Sequence, residues 1–432
     1  MALRKSCVIV LVAIIVTMLS GGRPVAVADE PSLEPQVGVL KHGGYNRTYT
    51  YYIPSSYDDS QAIPLLFSFH GLGSNATAQI YLTKFTALAE RERFIAVFPN
   101  STVLEEEDNP CAANLPELHG SNIQWNVGGN WSLQYCAGVD DVGFIAELIA
   151  LFKSEYNIDE TRIYATGMSN GAMFAYYLAL KLPGVFAGIA AVASPMTVNM
   201  FEEEVISPLT VIVMKGTGDP VIPYEGSGWI SSVDDTINFW IEANQVSTEP
   251  VVDAWGPTVA DSTRIVRYVY SEGVNEAEVI LYKIEDGGHT WPGGPQYADT
   301  ELIGRVSTHI NASALIWKHL PPIQYYLTIH CAVGGLIIEP GKGAFTYDAG
   351  TVVDLVAMAG EGYQFVNWTG DVDTIASVNA TSTTITMEGD YSIRANFKRV
   401  ASPVDWALIG GIIAVVVMVG LGVLFVRKKG TA

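Results

Sequence analysis

Ser169 sits in the run Thr166-Gly167-Met168-Ser169-Asn170-Gly171, between the apolar "RIYA" and the nearly all-apolar "AMFAYYLAL". A serine hydroxyl is a weak nucleophile until the backbone exposes it and a base takes its proton. A strand, a sharp turn and then a helix, with glycine two residues to either side of the serine, is the context in which G-x-S-x-G forms a nucleophile elbow. The glycines are needed because strand and helix approach too closely there for side chains. In this arrangement the partners follow in chain order, first the carboxylate and then the histidine. Four histidines lie downstream, His289, His309, His319 and His330. His309 and His319 fall within a closing helix pattern and His330 in a later β-rich segment. His289, in "EDGGHTWPGG", follows a strand in a glycine-rich loop that is expected to be flexible enough to swing the imidazole over the sheet edge. Asp219, in "VIVMKGTGDPVIPY", stands in a tight turn just past an apolar strand. Asp286 is too close to His289 in the chain to be the better partner. For any one of these residues alone, turn capping is the simpler explanation. Their joint placement in the strand and helix alternation points to a Ser169–His289–Asp219 triad.

Attack by serine creates an oxyanion that needs preorganised donors. The backbone N–H of Asn170, next to the nucleophile, is one candidate. The other is the N–H of Leu72, in the "HGLGS" that follows the strand "LLFSF". His70 precedes the serine in the wrong part of the sheet for the base and is assigned a structural role in that loop. Trp125, Trp131, Tyr224 and Trp291 are candidates for the acyl or alcohol pocket, and each could equally be core. No Cys/His spacing typical of a metal site occurs, and the chemistry requires neither metal nor cofactor.

These residues need a frame. Between about 45 and 320, short apolar runs alternate with helical patterns. "RTYTYYIP", "IPLLFSFHG", "FIAVFPN", "RIYATG", "AGIAAVAS", "LTVIVMKGTGD" and "EVILYKIE" read as strands. "TAQIYLTKFTALAERER", "DDVGFIAELIALFKSEY", "TINFWIEAN" and "STHINASALIWKHL" read as helices. Such alternation implies an α/β fold with a doubly wound, mostly parallel sheet covered on both faces. Residues 101–137 form a long insertion without clear periodicity. From 325 to 398 the pattern changes to period-two alternation broken by glycine turns, the mark of a small all-β module.

The two ends are apolar. Arg4 and Lys5, an apolar run from Cys7 to Leu19 and Ala26-Val27-Ala28 make 1–28 an expected secretory signal. Residues 406–426 carry no charge and, as a helix of about 1.5 Å per residue, would cross about 30 Å, one bilayer core. Arg427, Lys428 and Lys429 follow, so 427–432 is expected to be cytoplasmic, with the catalytic part held outside a cell membrane by a single C-terminal helix. In an exported chain Cys111 and Cys136, which flank one irregular loop, can pair, contributing about 3 kcal/mol. Cys331 shares the alternating side of Leu327 and Ile329 and reads as a buried thiol. Seven Asn-X-Ser/Thr sequons, starting at Asn46, Asn75, Asn100, Asn130, Asn311, Asn367 and Asn379, fit an exported surface. The net charge of −21, with no basic stripe, argues against nucleic acid as a partner.

"HGLGSNA", "QWNVGG", "VDDVGF", "RIYATGMSNGAMFAY", "GTGDPVIPY" and "GGHTWPGG" together resemble the extracellular polyhydroxybutyrate depolymerase and feruloyl esterase group of α/β hydrolases, over about residues 37–320. The resemblance implies the α/β-hydrolase fold and hydrolysis of carboxylic esters, in polyesters, feruloylated or acetylated polysaccharide, or smaller molecules. Its catalytic serine, aspartate and histidine fall on Ser169, Asp219 and His289. Lys215 departs from the His or Gln common there, and Ile222 from the usual Val. "GTVVDLVAMAGEGYQFVNWTGD" and "MEGDYSIRANFK" are similar to the divergent internalin-type B repeat, a surface spacer or weak binder. In such a module Tyr363, Phe365 and Trp368 are expected in the core. Two rival functions fit parts of the pattern. An adhesion or scaffold protein carrying an inactive hydrolase domain would not be labelled at Ser169 by a fluorophosphonate. A serine peptidase of the same fold would usually gate its site with an extra propeller or lid, for which there is no sign, and would cleave peptides rather than esters.

Overall fold

A computed structural model describes residues 34–104, 123–129, 133–256, 261–320, 322, 324–348 and 350–400. The expected signal at 1–28, the span at 406–426 with its tail at 427–432, Cys111 and Trp131 lie outside the described residues. Among the described residues no helix is long and apolar enough to cross a membrane. The chain divides into two compact units, Met1–Gln324 and Tyr325–Ala432.

The first unit runs β1 (Gln36–His42), β2 (Tyr45–Tyr52), β3 (Ile63–Phe69), α1 (Ala76–Thr83), α2 (Phe85–Glu92), β4 (Ile95–Pro99), α3 (Leu133–Cys136), α4 (Asp141–Glu155), β5 (Ile158–Met168), α5 (Asn170–Lys181), β6 (Gly188–Val192), β7 (Thr210–Gly216), α6 (Val233–Asn244), β8 (Val251–Trp255), β9 (Arg264–Tyr270), β10 (Val279–Glu285), α7 (Thr300–Ile303) and α8 (Ala312–His319). Ten strands form one sheet in the order β1-β2-β4-β3-β5-β6-β7-β10-β9-β8. The central run from β4 through β10 is parallel, and both margins are antiparallel.

The parallel strands are apolar almost throughout, because both of their faces are covered. Alternate residues divide between two cores. Phe67, Ala165, Ala191 and Val213 face one way with residues of α4, α5 and α6, whereas Leu66, Tyr164, Ala190 and Ile212 face the other way with residues of α1, α2 and α8. The expected doubly wound architecture is therefore present, with three differences. The helix expected over "TAQIYLTKFTALAERER" is two helices, because Lys84 adopts a left-handed conformation (φ 54°) and its N–H closes α1 on the Ile80 carbonyl at 2.9 Å. The closing helix begins at Ala312, capped by Asn311, so His309 precedes it. Strands β1, β8 and β9 were not expected; all three belong to the antiparallel margins.

The second unit is all β, comprising β11 (Gln324–Cys331), β12 (Gly335–Glu339), β13 (Gly343–Asp348), β14 (Val352–Ala359), β15 (Tyr363–Gly370), β16 (Ser382–Thr386) and β17 (Tyr391–Arg399). A four-stranded sheet, β13-β11-β17-β15, accompanies a three-stranded one, β12-β14-β16. Leu327, Ile329, Leu355, Ile385 and Ile393 build its core. Phe365 and Trp368 join that core as expected, and the Trp368 indole N–H donates to the Ala380 carbonyl at 3.0 Å. Tyr363 and Cys331 are only half-buried, a correction to the reading of both as interior, since each stands at the end of its strand.

Candidate active site

Because the central strands are parallel, the carboxyl ends of β3, β5, β7 and β10 share one edge of the sheet. His70 follows β3, Ser169 follows β5, Asp219 lies three residues beyond β7 and His289 four beyond β10. The topology thus collects the expected residues from positions up to 219 apart in the chain.

Ser169 occupies φ 58°, ψ −122°, a conformation costly for any residue with a side chain. It is fixed from both sides. Its N–H donates to the Val192 carbonyl at 2.9 Å, and its carbonyl accepts from Ala172 at 2.9 Å and Met173 at 3.1 Å as α5 begins. The flanking glycines are required by contact. A Cβ on Gly167 would strike the Gly171 backbone, and one on Gly171 would lie 2.6 Å from the His70 carbonyl oxygen.

The loop expected to supply an oxyanion donor lies against this elbow, since a Cβ placed on Gly71 would be 3.4 Å from Ser169 Cβ. His70 is wholly buried and organises the loop rather than the chemistry. Its Nδ1 meets the Gly71 carbonyl at 2.8 Å, and its Nε2 accepts from the Ser101 N–H at 3.1 Å. That pairing places the proton on Nδ1. Burial, with a smaller contribution from Arg47, pushes the imidazole down to about 4, against the Gly71 bond that favours its charged form. The Gly71 carbonyl and the Leu72 N–H belong to one peptide plane, so holding the first aims the second. Leu72 exposes its side chain, as only its backbone is needed.

Asp219 and His289 are both buried and joined, Nδ1 to Oδ2, at 2.8 Å. With Nδ1 engaged, Nε2 is the atom left to take a proton. The remaining Asp219 oxygen accepts from the N–H groups of Val221 at 2.8 Å and Ile222 at 2.9 Å. Lys215, fully buried, donates to Oδ2 and to the Ile222 carbonyl, the latter at 2.6 Å. Burial works against the Asp219 carboxylate, but His289 and Lys215 outweigh it and hold the group below its ordinary range. The loop of His289, expected to be flexible, is instead packed and bonded. Its N–H meets the Ile303 carbonyl at 2.5 Å, its carbonyl accepts from the Tyr297 hydroxyl at 2.7 Å, and Gly218 donates to Gly287 at 2.9 Å, tying the two loops together.

The pocket candidates fare differently. Trp125 is fully buried, stacks on Phe174 at 4.7 Å and donates from Nε1 to the His70 carbonyl at 3.0 Å, so it supports the loop after β3 from within. Trp291 is likewise buried, bonded to Ser313 Oγ at 3.0 Å. Tyr224 is buried in a core cluster, with the Lys283 ammonium over its ring at 5.0 Å. These three aromatic residues belong to the core, packed among its buried apolar side chains.

Two scaffolding groups had no warning in the sequence. The Asn170 side chain accepts from the Trp125 N–H at 2.7 Å, clamping residues 123–129 to the elbow. Arg47 and Asp141 form a buried pair at 2.5 Å, and Asp141 also accepts from the Asn126 N–H at 2.7 Å. These contacts give the "QWN" and "VDD" motifs their purpose, together with Asp140, which caps α4 through the Gly143 N–H at 2.8 Å. Among the described residues, no group of three or more His, Cys, Asp or Glu is placed to hold a metal ion.

Residues 47–233 match the family model described as Esterase PHB depolymerase, a span that includes Ser169 and Asp219. That stretch is similar to the esterase domains of the PHB depolymerase family. Residues 325–401 match the Divergent InlB B-repeat domain. The chain is similar to a bifunctional acetylxylan esterase/xylanase of Neocallimastix patriciarum, 26% identical over 50% of this chain and 29% of that protein. It is also similar to a feruloyl esterase B of Neurospora crassa, 29% identical over 34% of this chain and 42% of that one. The chain spans about half the length, or less, of the first curated relatives it matches. Among solved structures, an acetyl xylan esterase from Aspergillus awamori aligns with a TM-score of 0.41 at 13% identity, over 57% of this chain and 92% of that one.

Proposed function

We propose that the esterase domain hydrolyses carboxylic esters through Ser169, His289 and Asp219. The observation that carries this reading is the buried 2.8 Å contact between His289 and Asp219 at the same sheet edge as the strained Ser169. His289 Nε2 takes the Ser169 hydroxyl proton as Oγ bonds to the ester carbonyl carbon. The resulting oxyanion lies between the N–H groups of Leu72 and Asn170. Collapse breaks the bond to the alcohol oxygen, which leaves with the proton from His289. Water then attacks the acyl-serine by the same route, releasing the acid and restoring Ser169. Asp219 holds the imidazole in one orientation and stabilises its cation.

The substrate reading follows the relatives: acetyl, feruloyl or hydroxybutyrate esters, including polymeric ones. Rates for these three ester classes, compared between the wild type and Ser169→Ala, test it. A loss of several orders of magnitude in the variant supports the reading, and retention of most activity refutes it. We further propose that 1–28 directs export, that 406–426 anchors the chain in a membrane with the esterase domain outside the cytoplasm, and that Cys136 pairs with Cys111. The supports are the apolar and charge patterns of the two ends and the engagement of Cys136 in a disulfide.

A further inference from the structure

Lys215 follows the apolar run 211–214 near the end of β7, and its ammonium pairs with the carboxylate of the candidate triad. Both it and Asp219 have no side-chain exposure, and the oxygen to which it donates is the one that meets His289 Nδ1. A carboxylate facing only an imidazole would favour the imidazolium with its full charge. Here that charge is shared with a second cation, since both nitrogens meet the same carboxylate oxygen. We propose that Lys215 is a positioning residue that sets the charge felt by the general base: by pairing with Asp219 Oδ2, it weakens the hold of the carboxylate on the His289 imidazolium and extends activity toward acid. This rests on the triad reading and adds to it a determinant of working pH.

The surroundings contain few competing charges. On β10, Lys283 is the register partner of Lys215, but it is half-buried and engaged over the Tyr224 ring. Asp234, at the start of α6, acts on Tyr224. Tyr297 reaches the His289 carbonyl rather than the ring, and burial, aided by Asp219, keeps its hydroxyl neutral. Asp286, three residues before His289, is exposed, and Arg305 contacts this loop through its carbonyl, which accepts from the Gly288 N–H at 2.8 Å. The Asp219 oxygens are otherwise occupied by neutral backbone donors, which add no net charge. Burial pushes Lys215 down from its ordinary value and Asp219 pulls it back.

Lys215→Gln removes the charge while keeping a side-chain N–H donor in a shorter side chain. Lys215→Arg keeps the charge. In the full chain, the acid limb of kcat/KM should move upward by about two pH units in Lys215→Gln, taking an effective dielectric constant of about 20 and about 5 Å between two nitrogens that share one oxygen. Lys215→Arg should stay near the wild type. At a pH one unit below the wild-type midpoint, where the wild type loses about tenfold, Lys215→Gln should lose about a hundredfold or more relative to its own plateau. An unshifted acid limb in a folded Lys215→Gln variant would overturn the proposal, as it would if the lysine were neutral or only structural. A second readout is independent of turnover. With Ser169→Ala in the background, the His289 ring resonances should change with pH at a higher midpoint when Lys215→Gln is added. An unchanged midpoint overturns the proposal whether or not the domain proves to be an esterase, whereas loss of the esterase reading alone leaves this measurement intact.

Discussion

His70 offers a perturbation whose size follows from the structure. Its ring donates to the Gly71 carbonyl, accepts from the Ser101 N–H and is wholly buried, so it is neutral in the folded chain down to about pH 4. In the unfolded chain it takes a proton near its ordinary 6.5. A folded-state value depressed in this way gives stability that is present above 6.5 and lost as pH falls toward 4. Between 6.5 and 4.5 the loss is two units at about 1.36 kcal/mol each, or about 2.7 kcal/mol. His70→Leu has similar volume, no polar atoms and no titration. At pH 7 it should be less stable by about 2 to 6 kcal/mol, from two unpaired buried groups at about 1 to 3 kcal/mol each. At pH 4.5 that deficit should shrink by about 2 to 3 kcal/mol, because the variant escapes the acid penalty. Urea unfolding of the full chain, followed by amide exchange in peptides from β5 and β7, reads this domain alone. The variant should also lose kcat with little change in KM, because the peptide plane carrying the Leu72 N–H loses its tether. A deficit identical at pH 7 and pH 4.5 would refute the account of His70 as a buried neutral clamp.

Removing one partner of the buried Arg47–Asp141 pair should be costly, with Arg47→Met losing about 3 to 5 kcal/mol. Adding Asp141→Leu should recover part of that loss, and a double variant no more stable than Arg47→Met would show that the pair is not coupled as described. Asn170→Ala keeps the backbone N–H proposed for the oxyanion hole but frees Trp125 from its clamp. It should cost about 1 to 3 kcal/mol in unfolding free energy, and a loss well below 1 would show that the Asn170–Trp125 bond carries little.

The sharp turn at Ser169 was legible because its backbone imposes local demands. Two glycines, a strand and an apolar helix must all surround Ser169, and each leaves a mark in the sequence. Asp219 and His289 were legible because parallel strands deliver their following loops to one edge, which turns chain order into spatial order. The edge strands β1, β8 and β9 were not, since their partly exposed residues such as Val37, Val39 and Val251 follow neither a buried run nor a clean alternation. The break at Lys84 left no signal, because a lysine in a left-handed conformation is imposed by tertiary packing rather than by its own preference. Trp125 and Trp291 mark a deeper ambiguity: a tryptophan that lines a pocket and one that fills the core look alike in sequence. Lys215 had a signal of its own, a charge closing an apolar strand, although its bond to the Asp219 oxygen required coordinates.

The claim on which the rest depends is that His289 and Asp219 activate Ser169. Treating the full chain with a fluorophosphonate and locating the adduct by mass spectrometry tests it directly. The account predicts a single adduct on Ser169, formed far more slowly in His289→Ala. Absence of an adduct, or labelling of Ser169 at an undiminished rate without His289, would contradict it.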